Sequence, residues 1–254
     1  MPVLRLAKPE RRAVKAPRTV LLKLSGEALS GRGEFGIDPT HLAHLARNII
    51  AALRAAGRRV RMGIVVGGGN FIRGADWTRT VRVVDPATAD YMGMIATVLN
   101  ALALQEAIEK AGTEARVLSA IHVRQVCEPY IRRRALRHLE KNRVVIFAGG
   151  TGNPFFTTDT AAALRAIEIG AEVLLKATKV DGVYDRDPMR HRGARRFTRL
   201  TYSEALRRHL DIMDQTAFTV CREHRLPIRI FNLFKPASLS HALTGKPVGT
   251  IITA

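Results

Sequence analysis

Residues 144–169 read VVIFAGGTGNPFFTTDTAAALRAIEI, and the order of residue types along this stretch sets the architecture. Residues 144–147 form an unbroken apolar run of strand length, rich in β-branched side chains, as a strand covered on both faces requires. Glycines at 149, 150 and 152 then break the pattern. From 160 to 169 alanine, leucine and isoleucine recur at helical spacing. A buried strand, a glycine turn and a helix in that order make half of a βαβ unit, the crossover that parallel strands need.

The same alternation extends in both directions. Residues 20–24, 61–66 and 173–176 read as further strands buried on both faces, and 116–121, 228–232 and 250–253 add candidates. Leu42, Leu45, Ile49 and Leu53 make one apolar stripe on a helix that Asp38-Pro39 opens and Gly57 closes. Helical patterns also cover 88–111, ended by Gly112, and 130–142, 203–209 and 215–224. Strand and helix alternate throughout. The expected fold is therefore α/β, a three-layer α/β/α sandwich around a mostly parallel central sheet. Residues 19–254 read as a single domain, and residues 1–18 as a basic, flexible N-terminal tail.

Composition narrows the function. With 46% apolar and 25% charged residues over 254 positions, the chain has ordinary globular composition. The apolar stretch 91–104 is too short to span a membrane and contains Gly93, Thr97 and Asn100. Cys127 and Cys221 have no CxxC or Cys/His spacing, so reduced thiols in a cytoplasmic protein are expected, not a zinc site. The net charge of +19 attracts phosphorylated ligands and nucleic acid alike. Its concentrations at 1–18, Arg132 to Arg134 and Arg186 to Arg199 have no interleaved aromatic residues for base stacking, and a solvated basic surface is the plain reading. No GxxxxGK[ST], HExxH or GxSxG motif is present.

In open α/β sheets the chemistry sits on loops beyond the carboxyl ends of strands. Lys23-Leu24-Ser25-Gly26 ends the first strand and can set an ammonium beside phosphate oxygens, although a solvent-facing lysine fits equally. Gly67-Gly68-Gly69-Asn70 lets backbone N–H groups approach an anion, and Arg73 adds a planar fork; a tight turn is the simpler alternative. In the 149–159 segment Asn153 can read a base edge, while Thr157, Thr158 and Asp159 stand where a helix begins and phosphate binds, or where one of them merely caps. Thr178, Tyr184 and Asp187 lie on a loop able to hold an adenosine.

The strings KLSGEAL, GGGNFIRG, ADYMGM, GTGNPFFTTD and KATKVDGVY, in this order and spacing, resemble the bacterial UMP kinases of the amino acid kinase superfamily. The resemblance covers 20–253 and implies transfer of the γ-phosphoryl group of ATP to UMP, with Mg²⁺ entering on ATP and no metal ligand from protein side chains. It places Lys23, Leu24, Ser25, Gly26, Gly69 and Arg73 around the ATP phosphates, and Thr178, Tyr184 and Asp187 on the adenosine. Gly68 and Asp90 would bind UMP, with Asp90 on the ribose hydroxyls. Thr151, Gly152, Asn153, Pro154, Phe155, Phe156, Thr157 and Thr158 would close over its uracil and phosphate. Gly31, Arg32, Gly33, Glu34, Phe35 and Gly36 match a loop used for allosteric activation by GTP, with UTP as inhibitor. A homohexamer is implied as well.

An acceptor phosphate is already ionised near neutral pH, so catalysis reduces to alignment and charge neutralisation. Lys23 is the first candidate for neutralisation, with Arg73 assisting. Asp159 would orient Lys23 or a metal-bound water, and Lys176 is a weaker candidate. Two rivals remain at this stage. One is another kinase of the superfamily acting on a carboxylate or carbamate. The other is a nucleic-acid-binding or regulatory protein on the same fold, favoured by the charge alone.

Overall fold

The computed structural model describes residues 19–31, 35–57, 60–72, 84–191 and 193–254. The basic tail, residues 1–18, lies outside the described residues, as do Arg32, Gly33, Glu34 and Arg73.

Nine strands form one sheet among the described residues. They are β1 (Thr19–Leu24), β2 (Arg61–Val66), β3 (Ala115–Ser119), β4 (Glu128–Pro129), β5 (Val144–Ala148), β6 (Val173–Thr178), β7 (Arg199–Thr201), β8 (Ile228–Asn232) and β9 (Thr250–Thr253). Their order is β4-β3-β5-β2-β1-β6-β8-β9-β7, parallel except for the β8–β9 pair. The helices are α1 (Pro39–Ala56), α2 (Pro86–Lys110), α3 (Arg132–Glu140), α4 (Thr158–Glu168), α5 (Tyr202–Arg207), α6 (Gln215–Glu223) and α7 (Ser238–Thr244).

The period-two alternation of buried strands separates two cores. Val20, Leu22 and Leu24 point to one face with Met62, Ile64 and Val66, and meet apolar residues of α1, α2 and α7. Leu21, Val65, Val145, Phe147 and Leu174 point to the other and meet α3, α4, α5 and α6. Helices therefore cover both faces, and the expected three-layer sandwich forms.

Boundaries differ from the sequence reading where end signals compete with periodicity. Asp38 caps α1 by accepting from His41 N at 2.8 Å, as its Asp-Pro pair predicts. The same pair at Asp85-Pro86 starts α2 two residues before the expected 88, with the Asp85 side chain accepting from Ala87 N and Thr88 N. Helix α4 starts at Thr158 instead of 160, because Thr157 caps it. The apolar stretch 91–104 is part of the 25-residue α2, and by length and composition alone this helix could cross a membrane. Ala101, Leu104 and Ile108 on its inner face are fully buried in the first core, so here α2 serves as a layer of the sandwich.

Candidate active site

The carboxyl ends of β1, β2, β5 and β6 lie side by side because these strands are parallel and adjacent. Lys23 and Lys176 are register partners on β1 and β6. In a sheet, such partners project from the same face at neighbouring positions. Both reach one carboxylate. Lys23 Nζ lies 2.7 Å from Asp159 Oδ1, and Lys176 Nζ donates to Asp159 Oδ2 at 2.6 Å.

Asp159 sits in the first turn of α4, but its side chain does not cap that helix. Thr157 Oγ1 performs that task, accepting from Asp159 N at 3.0 Å and Thr160 N at 3.4 Å. The carboxylate is thus free to serve the lysines. Lys176 also donates to Ile212 O at 2.6 Å, which pins it from the far side. An ammonium carries three N–H groups, and Asp159 Oδ1 takes up one of them at 2.7 Å. Lys23 accordingly keeps N–H groups for an incoming anion.

The charges regulate one another. Burial alone would raise the Asp159 pKa, but the ammonium groups of Lys23 and Lys176 outweigh it and hold the carboxyl below its usual range. Burial pushes the Lys176 ammonium below its usual value; Asp159 opposes this, and Lys23 adds to it. Two cations around one carboxylate leave a net positive centre between the strand tips.

Clefts open on either side of this centre. One, of about 320 Å³, is lined by Lys23, Ser25, Glu27, Lys176, Thr178, Lys179 and Phe234. The other, of about 280 Å³, is lined by Gly68, Gly69, Asp90, Thr97, Gly150, Phe156, Thr157 and Thr158. Between them the backbone is crowded: a Cβ on Gly67 would lie 3.1 Å from Gly26 N and 3.4 Å from Thr158 Oγ1. Gly149 and Gly150 adopt φ of 73° and 57°, a conformation glycine takes without strain, and turn the chain out of β5. Asp90, in the first turns of α2, accepts from Phe155 N at 2.6 Å and so ties the 151–156 loop to the second cleft. Phe155, at φ 69° and 74% exposed, and Phe156, 49% exposed, present uncovered rings there.

Most residues expected from sequence gather here, but not all. Lys23, Ser25 and Thr178 line the first cleft, whereas the Leu24 side chain is buried in the core. Gly26 packs its backbone beside the glycine turn, and Gly69 belongs to the second cleft. Thr151 and Asn153 form a local turn, in which Thr151 Oγ1 accepts from Asn153 N and donates to its carbonyl. Gly152 and Pro154 continue the same loop. Tyr184 pairs with Arg196, and Asp187 accepts from Met189 N, both outside the cleft linings. Of the 31–36 loop, Gly31, Phe35 and Gly36 are described, with the Phe35 ring edge-on to Phe71 at 5.7 Å.

Lys176, a weaker candidate from sequence, matches Lys23 in position and partner. Two further contributors escaped the sequence reading. Thr97, buried inside α2, accepts from Gly149 N at 2.8 Å and anchors the start of the glycine loop. Asp214 caps α6 through Ala217 N and also accepts from Thr157 and Thr160 Oγ1, clamping the helix start that presents Asp159. An aspartate before a helix signals a cap; nothing nearby in sequence signals partners 54 and 57 residues away.

Fold and site together define a phosphoryl-transfer enzyme: a lysine-lined cleft and a glycine-lined cleft at neighbouring strand tips flank a buried cationic centre. The sequence profile of the amino acid kinase family matches residues 18–232, and the chain belongs to that family. It is similar to the uridylate kinase of Xanthomonas campestris pv. campestris, 54% identical over 235 residues, covering 92% of this chain and 96% of that protein. The uridylate kinase of Methylococcus capsulatus is 52% identical with the same coverage. Among solved structures, the UMP kinase from Bacillus anthracis superposes with a TM-score of 0.88 at 36% identity, covering 94% of this chain and 97% of that one. The UMP kinase from Ureaplasma parvum gives 0.86 at 34%, covering 93% and 99%.

Proposed function

We propose that the chain is a UMP kinase, transferring the γ-phosphoryl group of ATP to UMP to give ADP and UDP. The carrying observation is the Lys23–Asp159–Lys176 cluster between two nucleotide-sized clefts. ATP occupies the cleft of Lys23, Ser25 and Thr178, with its adenosine extending toward Tyr184 and Asp187. UMP occupies the cleft of Gly68 and Asp90, beneath the 151–158 loop, with its phosphate toward Thr157 and Thr158, which line that cleft beside the glycine turn. Lys23 neutralises charge building on the transferred group. Asp159 holds Lys23 in place, and Lys176 fixes Asp159. No strong general base is needed.

Mg²⁺ fits as a companion of ATP. Among the described residues no three His, Cys, Asp or Glu side chains gather to hold an ion. Magnesium in such sites relies chiefly on substrate phosphates, and the Asp159 carboxylate is already committed to Lys23 through Oδ1 and to Lys176 through Oδ2. Held by the ATP phosphates, the ion would supply charge neutralisation at their oxygens.

We assign the enzyme to the cytoplasm; both cysteines are free, as a reducing compartment keeps them. A homohexamer activated by GTP and inhibited by UTP completes the proposal. Tyr91, Ile95 and Leu99, half-exposed at four-residue spacing on the outer face of α2, suit an interface between copies. A coupled ADP-release assay with UMP, CMP, aspartate and glutamate as acceptors tests the whole reading; ADP release without UMP dependence would refute it.

Two further outcomes follow. Asp90→Asn should raise the UMP KM roughly 10- to 100-fold, the worth of a hydrogen bond to a charged group, and change kcat less. An unchanged UMP KM removes Asp90 from the ribose. The kcat–pH profile should show an acid limb near about pH 6, where a phosphate monoester gains its second proton, since Asp159 titrates below its ordinary 3.8. Its alkaline limb should fall below the ordinary lysine value of 10.5, because Lys176 loses its proton early and Asp159 then leans on Lys23 alone. An acid limb near about pH 4 would instead put a carboxylate in control.

A further inference from the structure

The long helix α2 carries an asparagine where its inner face should be apolar. Asn100 is fully buried, between Ala96 and Leu104 on the core side, and Asn70 beside it is 1% exposed. A leucine at position 100 would be the better helix former and would need no partner. The polar pair is instead satisfied completely. Asn100 Nδ2 donates to Asn70 Oδ1 at 2.6 Å and to Gly67 O at 2.7 Å. Asn70 Nδ2 returns a bond to Asn100 Oδ1 at 3.0 Å and donates to Gly36 O at 2.7 Å. Both N–H groups and the oxygen of each amide are used, the closed arrangement that gives a buried polar network a single geometry.

Three chain segments converge on this pair. Gly67 opens the glycine turn of the second cleft. Gly36 is held twice, because its N–H also donates to Asn70 O at 2.8 Å. Gly26, two residues beyond Leu24 at the end of β1, packs so closely that a Cβ there would lie 2.7 Å from Gly67 O and 2.9 Å from Gly69 N, with Asn70 Oδ1 nearer still. The amides thus fix how the end of β1, which carries Lys23, sits against the turn carrying Gly68 and Gly69. Neither asparagine side chain lines the cleft.

We propose that the Asn70–Asn100 amide pair is the positioning device of the phosphate-binding turn, acting through Gly67 O to set the Gly68 and Gly69 N–H groups relative to Lys23. This rests on the reading of the clefts as the ATP and UMP sites.

The experiment compares Asn100→Leu and Asn70→Asp with Leu104→Ala, a core truncation one turn further along α2, by Tm, kcat and both KM values. Asn100→Leu, close in volume but unable to bond Gly67 O, should lower kcat about 100-fold, the effect of misplacing reacting groups by about an ångström. Asn70→Asp keeps the acceptor for Asn100 and loses its own donors, and should lower kcat roughly tenfold. Leu104→Ala should lower Tm most and leave kcat native. Native kcat in Asn100→Leu, or an equal fall in kcat for Leu104→Ala, overturns the proposal. If Asn100→Leu does not fold, Asn70→Asp decides by the same criterion. A native protein inactive on ATP and UMP overturns the reading of the clefts and the inference with it; an active native protein beside an equally active Asn100→Leu overturns the inference alone.

Discussion

Lys23→Ala is expected to lower kcat about 1000-fold, the upper range for removing one preorganised charge donor from a transition state. The UMP dissociation constant should change little, because Lys23 lines the opposite cleft from Gly68 and Asp90. The expectation follows from geometry. Only an ammonium with N–H groups to spare can follow charge onto a transferring phosphoryl group, and the 2.7 Å contact with Asp159 Oδ1 takes one of the three that Lys23 carries. Lys176, by contrast, is committed to Asp159 Oδ2 and Ile212 O. Lys176→Met should therefore cost less activity than Lys23→Ala. Isothermal titration with UMP and steady-state assay at saturating ATP separate the two effects. Near-native turnover in Lys23→Ala would end its assignment, and a large loss of UMP affinity would move Lys23 to the acceptor side.

Strands buried on both faces were legible because continuous apolar runs admit few other readings. The runs at 20–24, 61–66 and 144–147 became β1, β2 and β5 almost residue for residue. Short edge strands were not legible: β4 has two residues and β7 three, too few for any periodicity. Helix α7 was missed because it starts from Ala237, at φ 59° with no side-chain cap, and so lacks the usual opening signal. In the site, Lys23 and Asp159 were legible because each ends or begins an element. The equal standing of Lys176 was not. It depends on the register of β1 against β6, which pairs Lys23 with Lys176 across a separation in sequence that no local pattern encodes. The double role of Asp214 was hidden for the same reason.

The Asp159 carboxylate should matter to folding as much as to turnover. It is 9% exposed and neutralises two ammonium groups whose side chains are themselves 13% and 15% exposed. Asp159→Asn leaves both cations facing a neutral amide. Removing one partner of a buried pair costs about 3–5 kcal/mol, because the remaining charge stays desolvated and unpaired. Since the folded-state pKa of Asp159 is lowered, its stabilisation is present above the ordinary carboxylate value of 3.8 and lost as pH falls through the folded value. The deficit of Asp159→Asn should accordingly be full at neutral pH and shrink in acid. Adding Lys176→Met removes one of the two orphaned cations, so the double variant should recover part of the lost stability. It should recover none of the lost turnover, because Lys23 then has no carboxylate to hold it. Denaturant titration at neutral and acid pH, run beside the coupled assay, reads both. If Asp159→Asn keeps native stability, the two lysines are better solvated than their burial implies; if the double variant regains activity, Asp159 is a structural counter-ion and not the group that aims Lys23.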